Sequence, residues 1–485
     1  TISAPFPYWK RGGAVLIGAC LIGLCIFGIR GRTGYNPIKV SAAYFCQDAF
    51  LNQLGVSPTF NLLTSVMDDM RPENKYLHLM DEQEAITKAQ ALLNRPGDAN
   101  VSPLAVYRHA AKADSVQQRR PNVVLIMMES MSAKFMKHFG QSETLTPFLD
   151  SLYTRSISFR NFYSAGIHTN HGLYATLYSF PAMMKRNLMK GSVIPRYSGL
   201  PTVLKENGYY NLFFMTHEGQ YDNMNAFFRT NGYDEVFSQE DYPADKVVNS
   251  FGVQDDFLYD YAIPVLNQRA ATGQPFFATL LSISNHPPYV IPPFFHPKTS
   301  EPEMQIVEYA DWALRQFFEE ARKQPWFDNT IFVLEGDHGK LVGDAECELP
   351  ESYNHIPLMI YSSRIQPEEK TAFGGQVDIQ PTILGLLNID YLQNNFGVDL
   401  LKEERPCMFY TADNMVVGRN DTLLYLYNYE TQQELTYDIG NGKLNAVPMD
   451  DSFLPLKEYS FSMLQSAEFL VKHGKTLNSI PFTQQ

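Results

Sequence analysis

The chain has 485 residues, 45% of them hydrophobic and 19% charged, a balance typical of globular proteins rather than disordered ones. The formal net charge of −13 argues against a nucleic-acid partner, because phosphate binding requires concentrated Lys and Arg, and no basic run is present. This length suffices for one large domain or for two to three ordinary ones.

An apolar segment near the N-terminus, residues 12–29, contains eighteen residues without a charge and is flanked by Lys10 and Arg11 before it and by Arg30 and Arg32 after it. We predict a retained membrane-spanning helix, with residues 1–30 as the helix and its flanks, because no small-residue cleavage pattern of a signal peptide follows. The basic flanks leave its orientation undecided. The chain starts with Thr rather than Met, so upstream residues, including further spans, could be missing.

The segment from residue 31 to residue 120 is predicted as a helical linker. Residues 81–94 place apolar side chains at helical spacing, and this pattern ends before Pro96-Gly97. Residues 112–120 are polar, which favours an exposed connection into the first strand of the core.

The middle of the chain alternates apolar runs with helical signals. The runs predict buried strands at residues 122–128, 211–215, 276–283, 331–334 and 357–361. The helical signals begin at Thr146-Pro147 and cover residues 198–207, 305–323 and 376–387. This alternation indicates an α/β domain over residues 121–400, with a mostly parallel central sheet and helices on both faces.

The last segment, residues 401–485, is predicted as a small C-terminal α+β subdomain. Residues 406–437 are rich in Tyr, Leu and Thr between turn signals, which favours short antiparallel strands. Residues 452–473 favour a closing helix. We expect this part to support the structure rather than to carry chemistry.

Polar side chains follow several of the predicted strands, at the edge where a parallel sheet places its ligand crevice. They are Glu129-Ser130, His217-Glu218, Asn285-His286 and Asp337-His338. An Asp beside a His supplies one oxygen and one nitrogen ligand, which suits a divalent metal, although a hydrogen-bonded turn could use the same pair.

Thr169 lies in a loop, residues 164–181, between the first and second of these strands. Alone, it could be the N-cap of the following helix. Together with Glu129, Asp337 and His338 it predicts a metal-activated nucleophile. A threonine hydroxyl is a poor nucleophile, and metal coordination lowers its pKa.

These residues and their order resemble the lipoteichoic acid synthase-like branch of the alkaline phosphatase and sulfatase superfamily. The shared features are Glu-Ser after the first strand, Thr in the next loop, Asn-His after a later strand and then Asp-His-Gly. The resemblance covers residues 30–399 and includes three further motifs: Asn231-Gly232-Tyr233-Asp234, Ser284-Asn285-His286-Pro287-Pro288-Tyr289 and Gln376-Val377-Asp378-Ile379-Gln380-Pro381-Thr382.

The resemblance implies one divalent cation, bound by Glu129, Thr169, Asp337 and His338. Thr169 would also be the nucleophile that takes the phosphoryl group. Manganese is expected from the family, and three oxygens with one nitrogen would also suit zinc or magnesium. His286 matches the family histidine that contacts the phosphate and serves as proton donor or stabilises charge.

Two departures from the family pattern concern the substrate. Sulfatases require Cys or Ser followed by Pro and Arg, whereas Thr169 precedes Asn170-His171-Gly172, so sulfate ester hydrolysis is disfavoured. Lipoteichoic acid synthases place a Trp and an Arg against the glycerol phosphate, and the matching positions here are Asp222 and Met224. Asp222-Asn223 could therefore bind a hydroxyl or the ammonium of ethanolamine, or could form an Asx turn.

Further candidates are histidines and cysteines outside the shared motifs. His171, two residues after the nucleophile, could bind substrate or cap the helix, and His217 could reach the donor head group. His355 is a candidate for a second metal or for a support of the site. Cys347 and Cys407 could form a disulfide in an oxidising compartment.

We expect a membrane-anchored, metal-dependent phosphotransferase that is sulfatase-like but not a true sulfatase. It would move a phosphoglycerol-type head group from a phospholipid to a glycan, glycolipid or other alcohol through phospho-threonine. The catalytic domain would lie outside the bacterial inner (cytoplasmic) membrane. Alternatives are a phosphoethanolamine transferase, a phosphodiesterase or phosphatase, and a catalytically idle ectodomain that binds a glycan or a partner.

Overall fold

The computed structural model describes residues 8–33, 37–46, 49–71, 74–94, 106–110, 120–191, 193–440 and 442–478. These residues form twelve α-helices: α1 (Tyr8–Arg30), α2 (Ala49–Leu54), α3 (Pro58–Asp69), α4 (Glu82–Leu93), α5 (Pro147–Tyr153), α6 (Thr169–Tyr178), α7 (Leu200–Glu206), α8 (Met224–Thr230), α9 (Asp255–Ala270), α10 (Pro302–Ala321), α11 (Ile379–Leu386) and α12 (Leu454–Lys472). They also form fifteen strands: β1 (Tyr107–Ala110), β2 (Asn122–Met128), β3 (Ile157–Tyr163), β4 (Tyr210–Met215), β5 (Glu235–Phe237), β6 (Phe276–Leu281), β7 (Thr330–Gly336), β8 (Leu358–Tyr361), β9 (Glu368–Gly375), β10 (Tyr391–Asn394), β11 (Met408–Thr411), β12 (Met415–Arg419), β13 (Leu423–Asn428), β14 (Gln433–Gly440) and β15 (Lys443–Ala446).

An eight-stranded sheet forms the centre of the molecule, in the order β5-β4-β6-β2-β7-β8-β3-β9. Its neighbouring strands are parallel except at β8, which runs antiparallel to both β7 and β3. The predicted α/β class with a mostly parallel sheet is therefore confirmed. Because β2, β6 and β7 are adjacent and parallel, the residues that follow them meet at one edge of the sheet.

The two faces of β2 pack into two different hydrophobic cores. Val123, Leu125 and Met127 contribute to the core that also holds residues of α6, α7, α8 and α11. Val124, Ile126 and Met128 contribute to the core that holds residues of α5, α9 and α10. An uninterrupted apolar run is thus explained by burial on both faces, as in other sheets that are covered by helices on each side.

Two strands in one half of the sheet, β3 and β9, were not predicted from the sequence, and the direction of their neighbour β8 was not predicted either. The run at residues 357–361 does form a strand, but its apolar composition did not indicate that it is reversed. The edge strand β9 begins with exposed charged residues, and so it lacks the apolar signal of a buried strand.

The C-terminal part forms a separate antiparallel sheet with strands in chain order, β11 to β15, and α12 packs against β11 and β12. The same helix packs against α4, and β1 pairs with β10. No local signal indicated β1, because its four residues pair with a strand that lies far along the chain. The predicted boundaries at residues 30, 120 and 400 stay predictions.

Helix α1 is long and apolar enough to cross a membrane over residues 12–30. Its apolar side chains are exposed, with Val15 at 73% and Ile29 at 74%. The polar connection predicted at residues 112–120 lies outside the described residues, except for Arg120.

Candidate active site

Three predicted metal ligands converge at the edge where β2 and β7 end. Glu129 follows β2 directly, and Asp337 and His338 follow β7, its parallel neighbour. Each of the three offers a ligand atom, and these atoms lie within 4.8 Å of one another. His338 Nε2 lies 3.6 Å from Asp337 Oδ2 and 3.9 Å from Glu129 Oε1.

The two carboxylates of this cluster are buried side by side. Burial, and then the charge of Asp337, raise the pKa of Glu129 well above its ordinary value. Asp337 Oδ1 accepts hydrogen bonds from the backbone N–H groups of Ser130 and His338, at 2.8 and 2.7 Å. Among the described residues, Asp337 Oδ2 is buried and has no hydrogen-bond partner. A divalent cation would neutralise the carboxylates and satisfy that oxygen, so the residues present fit a metal.

Thr169 joins the cluster from the loop between β3 and α6. It is the first residue of α6, whose N-cap is His168, so the N-cap interpretation of Thr169 is wrong. Its hydroxyl Oγ1 donates a long hydrogen bond to Glu129 Oε2, at 3.5 Å. The predicted nucleophile and the predicted ligand set therefore lie together.

The first turns of α6 pack closely against the backbone of Asp337. A Cβ atom added to Gly172 would lie 2.3 Å from the Asp337 carbonyl oxygen, so this approach requires glycine. Gln376 links the backbone after β7 to the loop before α6. Its Nε2 donates to the carbonyl oxygen of Asp337 at 2.8 Å, and its Oε1 accepts from Ala165 N at 2.9 Å. The Gln376 motif thus positions the nucleophile loop, a role that the sequence did not indicate.

Asp378, in the same motif, directly precedes α11, and its side chain makes no capping bond to that helix. Its buried carboxylate pairs with Arg405 and also accepts from the backbone N–H groups of Gly375 and Val398, at 2.9 and 2.8 Å. Asp378 therefore links the start of α11 to the chain segment that contains Val398 and Arg405.

Asn285 and Lys340 form a polar bridge beside the cluster. Asn285 Nδ2 donates to the carbonyl oxygens of Glu129 and Ser130, each at 3.1 Å. Lys340 Nζ donates to Asn285 Oδ1 at 2.7 Å, and burial lowers the pKa of this ammonium. Lys340 was missed by the sequence analysis, because a lysine two residues after an Asp-His pair carries no recognised signal.

His286 lies at the mouth of the site, partly exposed. Its Nδ1 lies 2.6 Å from the carbonyl oxygen of Pro287 and donates to it, which leaves Nε2 as the acceptor nitrogen of the neutral ring. Burial lowers the pKa of His286, while Asp337 raises it and His338 lowers it, so the ring is within electrostatic range of the cluster.

The predicted substrate residues Asp222 and Asn223 lie in a short turn beside the nucleophile. Asp222 Oδ2 accepts from Asn170 Nδ2 at 3.3 Å, and Oδ1 pairs with Lys190 Nζ at 2.9 Å. Asn223 Nδ2 donates to the carbonyl oxygen of Met189 at 2.8 Å. Both turn residues have left-handed φ angles of 46° and 67°, an uncommon conformation that is found at functional sites.

His171 and His217 are buried close to the site but do not join the acid–histidine cluster. Burial lowers the pKa of His217 to about 4 and the pKa of His171 well below its ordinary value, so both rings are neutral. His217 packs on Tyr221 with ring centroids 4.5 Å apart. Substrate contact by either histidine stays a prediction.

Two of the wider expectations do not fit the structure. His355 lies outside the cluster, since its Nε2 is 2.7 Å from the carbonyl oxygen of Arg160 and its ring stacks on Tyr163. It supports β3 rather than a second metal. Cys347 and Cys407, both within the described chain, are free thiols, so the disulfide alternative is wrong.

The chain is similar in sequence to a known protein family and to several curated proteins. A sequence model of the sulfatase family matches residues 121–389. The chain belongs to the sulfatase family. Among curated relatives, lipoteichoic acid synthase 1 of Bacillus subtilis is 25% identical over 350 residues, which are 66% of this chain and 53% of that protein. Lipoteichoic acid synthase 2 of the same organism is 24% identical over 315 residues, 58% of this chain and 47% of that protein.

Solved structures agree with the family and the fold. A protein of the alkaline phosphatase superfamily from Vibrio parahaemolyticus superposes with a TM-score of 0.73 and 26% identity, covering 83% of this chain and 98% of that one. The lipoteichoic acid synthase LtaP of Listeria monocytogenes gives 0.65 and 19%, covering 80% and 98%. The predicted likeness to the lipoteichoic acid synthase-like branch is confirmed. This sulfatase-family chain spans about half the length of the curated relatives it matches.

Proposed function

We propose that this sulfatase-family chain is a membrane-anchored, metal-dependent transferase that moves a phosphoglycerol-type head group from a phospholipid to an acceptor alcohol. One observation carries the proposal: the Thr169 hydroxyl lies 3.5 Å from Glu129 Oε2, in a cluster whose other members are Asp337 and His338. A hydroxyl beside two buried carboxylates and an imidazole is an arrangement for a metal-activated nucleophile.

The proposed metal ligands are Glu129, Asp337, His338 and the hydroxyl of Thr169. A divalent cation bound there would lower the pKa of the hydroxyl and neutralise negative charge on the phosphate oxygens. Manganese is the proposed ion, with zinc and magnesium as alternatives that the three oxygen donors and one nitrogen donor would accept.

The proposed chemistry has two displacements at phosphorus. Thr169 Oγ1 loses its proton to water and forms a bond to phosphorus as the bond to the lipid oxygen breaks. The imidazolium form of His286 gives the departing oxygen its Nε2 proton, which leaves the ring neutral. The acceptor alcohol then gives up a proton to the neutral His286, and its oxygen displaces Thr169 from the phosphoryl group. Thr169 Oγ1 regains a proton from water, which restores the hydroxyl, and His286 acts as acid in one step and as base in the other.

The proposed donor is a phospholipid because α1 is long and apolar enough to anchor the chain in a bilayer. A glycan, a glycolipid or another alcohol would be the acceptor, and the catalytic domain would face outward from the cytoplasmic membrane. A phosphodiesterase or phosphatase would use the same Thr169 with water as acceptor. An idle ectodomain would not need the cluster of Glu129, Asp337 and His338.

The test uses the full chain in detergent with a head-group-labelled phosphatidylglycerol and manganese. We expect mass spectrometry to find a phosphoglycerol adduct on Thr169 in the wild-type protein, and Thr169→Ala to abolish transfer. The control is Thr371→Ala, an exposed threonine on β9. Full turnover by Thr169→Ala would contradict the nucleophile assignment, and label appearing only in free glycerol phosphate would favour a hydrolase.

A further inference from the structure

Large hydrophobic side chains are exposed along the segment that follows the membrane helix. Outside α1, the described residues carry sixteen exposed large hydrophobic side chains, and ten of them lie between residues 38 and 76. These ten are Ile38, Phe45, Leu51, Leu54, Leu62, Leu63, Val66, Met67, Met70 and Tyr76. Single exposed apolar residues are ordinary on a protein surface, but a concentration of this kind marks a surface that contacts a partner or a membrane.

Helix α3 turns its apolar side outward. Four apolar side chains recur at helical spacing, and Met70, the C-cap residue, continues the same side; the four are Leu62, Leu63, Val66 and Met67. Their exposure ranges from 49% for Val66 to 64% for Met67, and Met70 is 77% exposed. The polar side chains of the opposite side are less exposed, and they are Asn61, Thr64, Ser65 and Asp68. A surface helix of a soluble protein normally does the reverse and buries its apolar side.

Helix α2 shows the same inversion. Its polar residue Asn52 is buried, and its Nδ2 donates to the carbonyl oxygen of Cys46 at 2.6 Å. Asn52 Oδ1 accepts from the backbone N–H groups of Phe45 and Cys46, each at 3.1 Å. Leu51 and Leu54, one turn apart, are exposed. Asn52 thus fixes α2 in an orientation that leaves both leucines uncovered.

Both helices are tethered by short stretches of chain to the end of the membrane helix. The chain folds back after α1, since the backbone N–H of Ile38 donates to the carbonyl oxygen of Arg30 at 2.9 Å. Gly55, which follows α2, packs on Ala43, because a Cβ atom added to this glycine would lie 3.3 Å from the Ala43 Cβ. The stretches from Ile38 to Ala43 and from Gly55 to Pro58 together reach at most roughly 30 Å when extended. The start of α3 therefore cannot lie far from the point where α1 leaves the bilayer.

The same connection is attached to the catalytic domain beside the candidate site. We call residues 37–44 the juxtamembrane arm. Lys39 N donates to Gln220 Oε1 at 3.1 Å, and Gln220 Nε2 donates back to the carbonyl oxygen of Pro37 at 3.2 Å. Gln220 lies in the loop after β4, at the sheet edge where Glu129 follows β2. The arm therefore joins the exposed helices to the edge of the sheet that carries the site.

We propose that the exposed sides of α2 and α3 form a membrane-contact surface, whose leucine, valine and methionine side chains enter the bilayer that holds α1. This rests on the membrane anchoring of α1, which is part of the proposed function. Apolar side chains gain free energy when they leave water for the apolar layer beneath the lipid head groups. The surface continues the lipid contact of α1 and holds the catalytic domain at the membrane, where a lipid donor is found.

The charges of this segment indicate that the contact is apolar rather than electrostatic. Residues 40–70 contain no Lys or Arg. Helices that depend on anionic lipids carry basic residues on their polar side, whereas the polar side of α3 carries Asp68. A zwitterionic bilayer therefore suffices as the partner, and salt does not release the surface from it.

The experiment uses the full chain reconstituted in phosphatidylcholine vesicles, with the photoreactive residue p-benzoylphenylalanine (Bpa) at one position at a time. Leu63→Bpa and Met67→Bpa probe the exposed side of α3, and Asp68→Bpa probes the opposite side of the same helix. Leu21→Bpa, within α1, reports on the membrane anchor itself. Leu454→Bpa is the matched control, an exposed leucine at the start of α12.

After irradiation, we expect mass spectrometry to find phosphatidylcholine adducts at positions 63, 67 and 21. Adducts should be absent from Asp68→Bpa and Leu454→Bpa, and those on α3 should persist in concentrated salt. Adducts on α1 without adducts on α3, or equal adducts on Leu63→Bpa and Leu454→Bpa, would overturn the membrane-contact surface alone. Cross-linked dimers in place of lipid adducts on α3 would overturn the bilayer as the occupant and indicate a second copy of the chain. Absence of adducts on Leu21→Bpa would overturn the membrane anchor, and with it that part of the proposed function.

Discussion

Lys340 donates a hydrogen bond to Asn285, with 2.7 Å between Nζ and Oδ1. The same amide donates through Nδ2 to the backbone of Glu129 and Ser130. Lys340 follows β7, Asn285 follows β6 and Glu129 follows β2, so this single chain of bonds joins the three strand ends on which the candidate site is built.

Replacing Lys340 with Met keeps an unbranched side chain of similar length but removes the ammonium, which lies over the rings of Phe135 and Tyr289. We expect kcat to fall about tenfold to a hundredfold, because the amide of Asn285 loses the group that orients it and the site loses a positive charge. Bound metal, measured by elemental analysis, should stay unchanged.

The matched control for this substitution is Lys323→Met, which removes an exposed lysine that lies just after α10 and pairs with Glu320. Equal kcat values for the two variants would contradict a positioning role for Lys340. Loss of metal from Lys340→Met would instead indicate that the lysine stabilises the ligand cluster itself.

The metal centre can be tested without any substrate. Because the two buried carboxylates repel each other, a bound cation should stabilise the folded chain, by about 2.7 kcal/mol at a hundredfold excess over Kd. We expect manganese to raise the melting temperature of the wild type. Asp337→Asn should abolish this rise, whereas Asp344→Asn, an exposed acid seven residues later, should keep it. An equal rise in both variants would contradict the assigned ligands.

The sequence analysis correctly predicted the strands that form continuous apolar runs and the polar residues that directly follow them, because both patterns are local in the sequence. Burial on both faces makes β2 a continuous apolar run, and Glu129 and Asp337 stand directly after such runs. The left-handed turn at Asp222 could not be predicted, because it depends on contacts with Asn170 and Lys190, which lie 52 and 32 residues earlier in the chain. Likewise, nothing in the short run of β8 specifies its direction.

A partly buried ion pair away from the site, between Glu351 and Arg419, makes the stability of the fold sensitive to acid. The Glu351 carboxylate pairs with Arg419 and accepts from the Tyr163 hydroxyl at 3.0 Å. Burial alone would raise the pKa of Glu351, but the Arg419 charge and these bonds outweigh it and lower the pKa to about 2. Since the folded pKa lies below the unfolded one, this stabilisation is complete above the ordinary value of 4.5 and is lost as the pH falls towards 2.

The difference between the two pKa values corresponds to at most about 3 kcal/mol of stability, which disappears on acidification. We expect the melting temperature of the full chain in detergent to fall more steeply below pH 4.5 in the wild type than in Glu351→Gln, which has no carboxylate to protonate. Glu368→Gln removes an exposed carboxylate paired with Lys370 and should retain the wild-type slope. Identical slopes for the wild type and Glu351→Gln would show that the acid response comes from other carboxylates, because only the former carries this titrating pair.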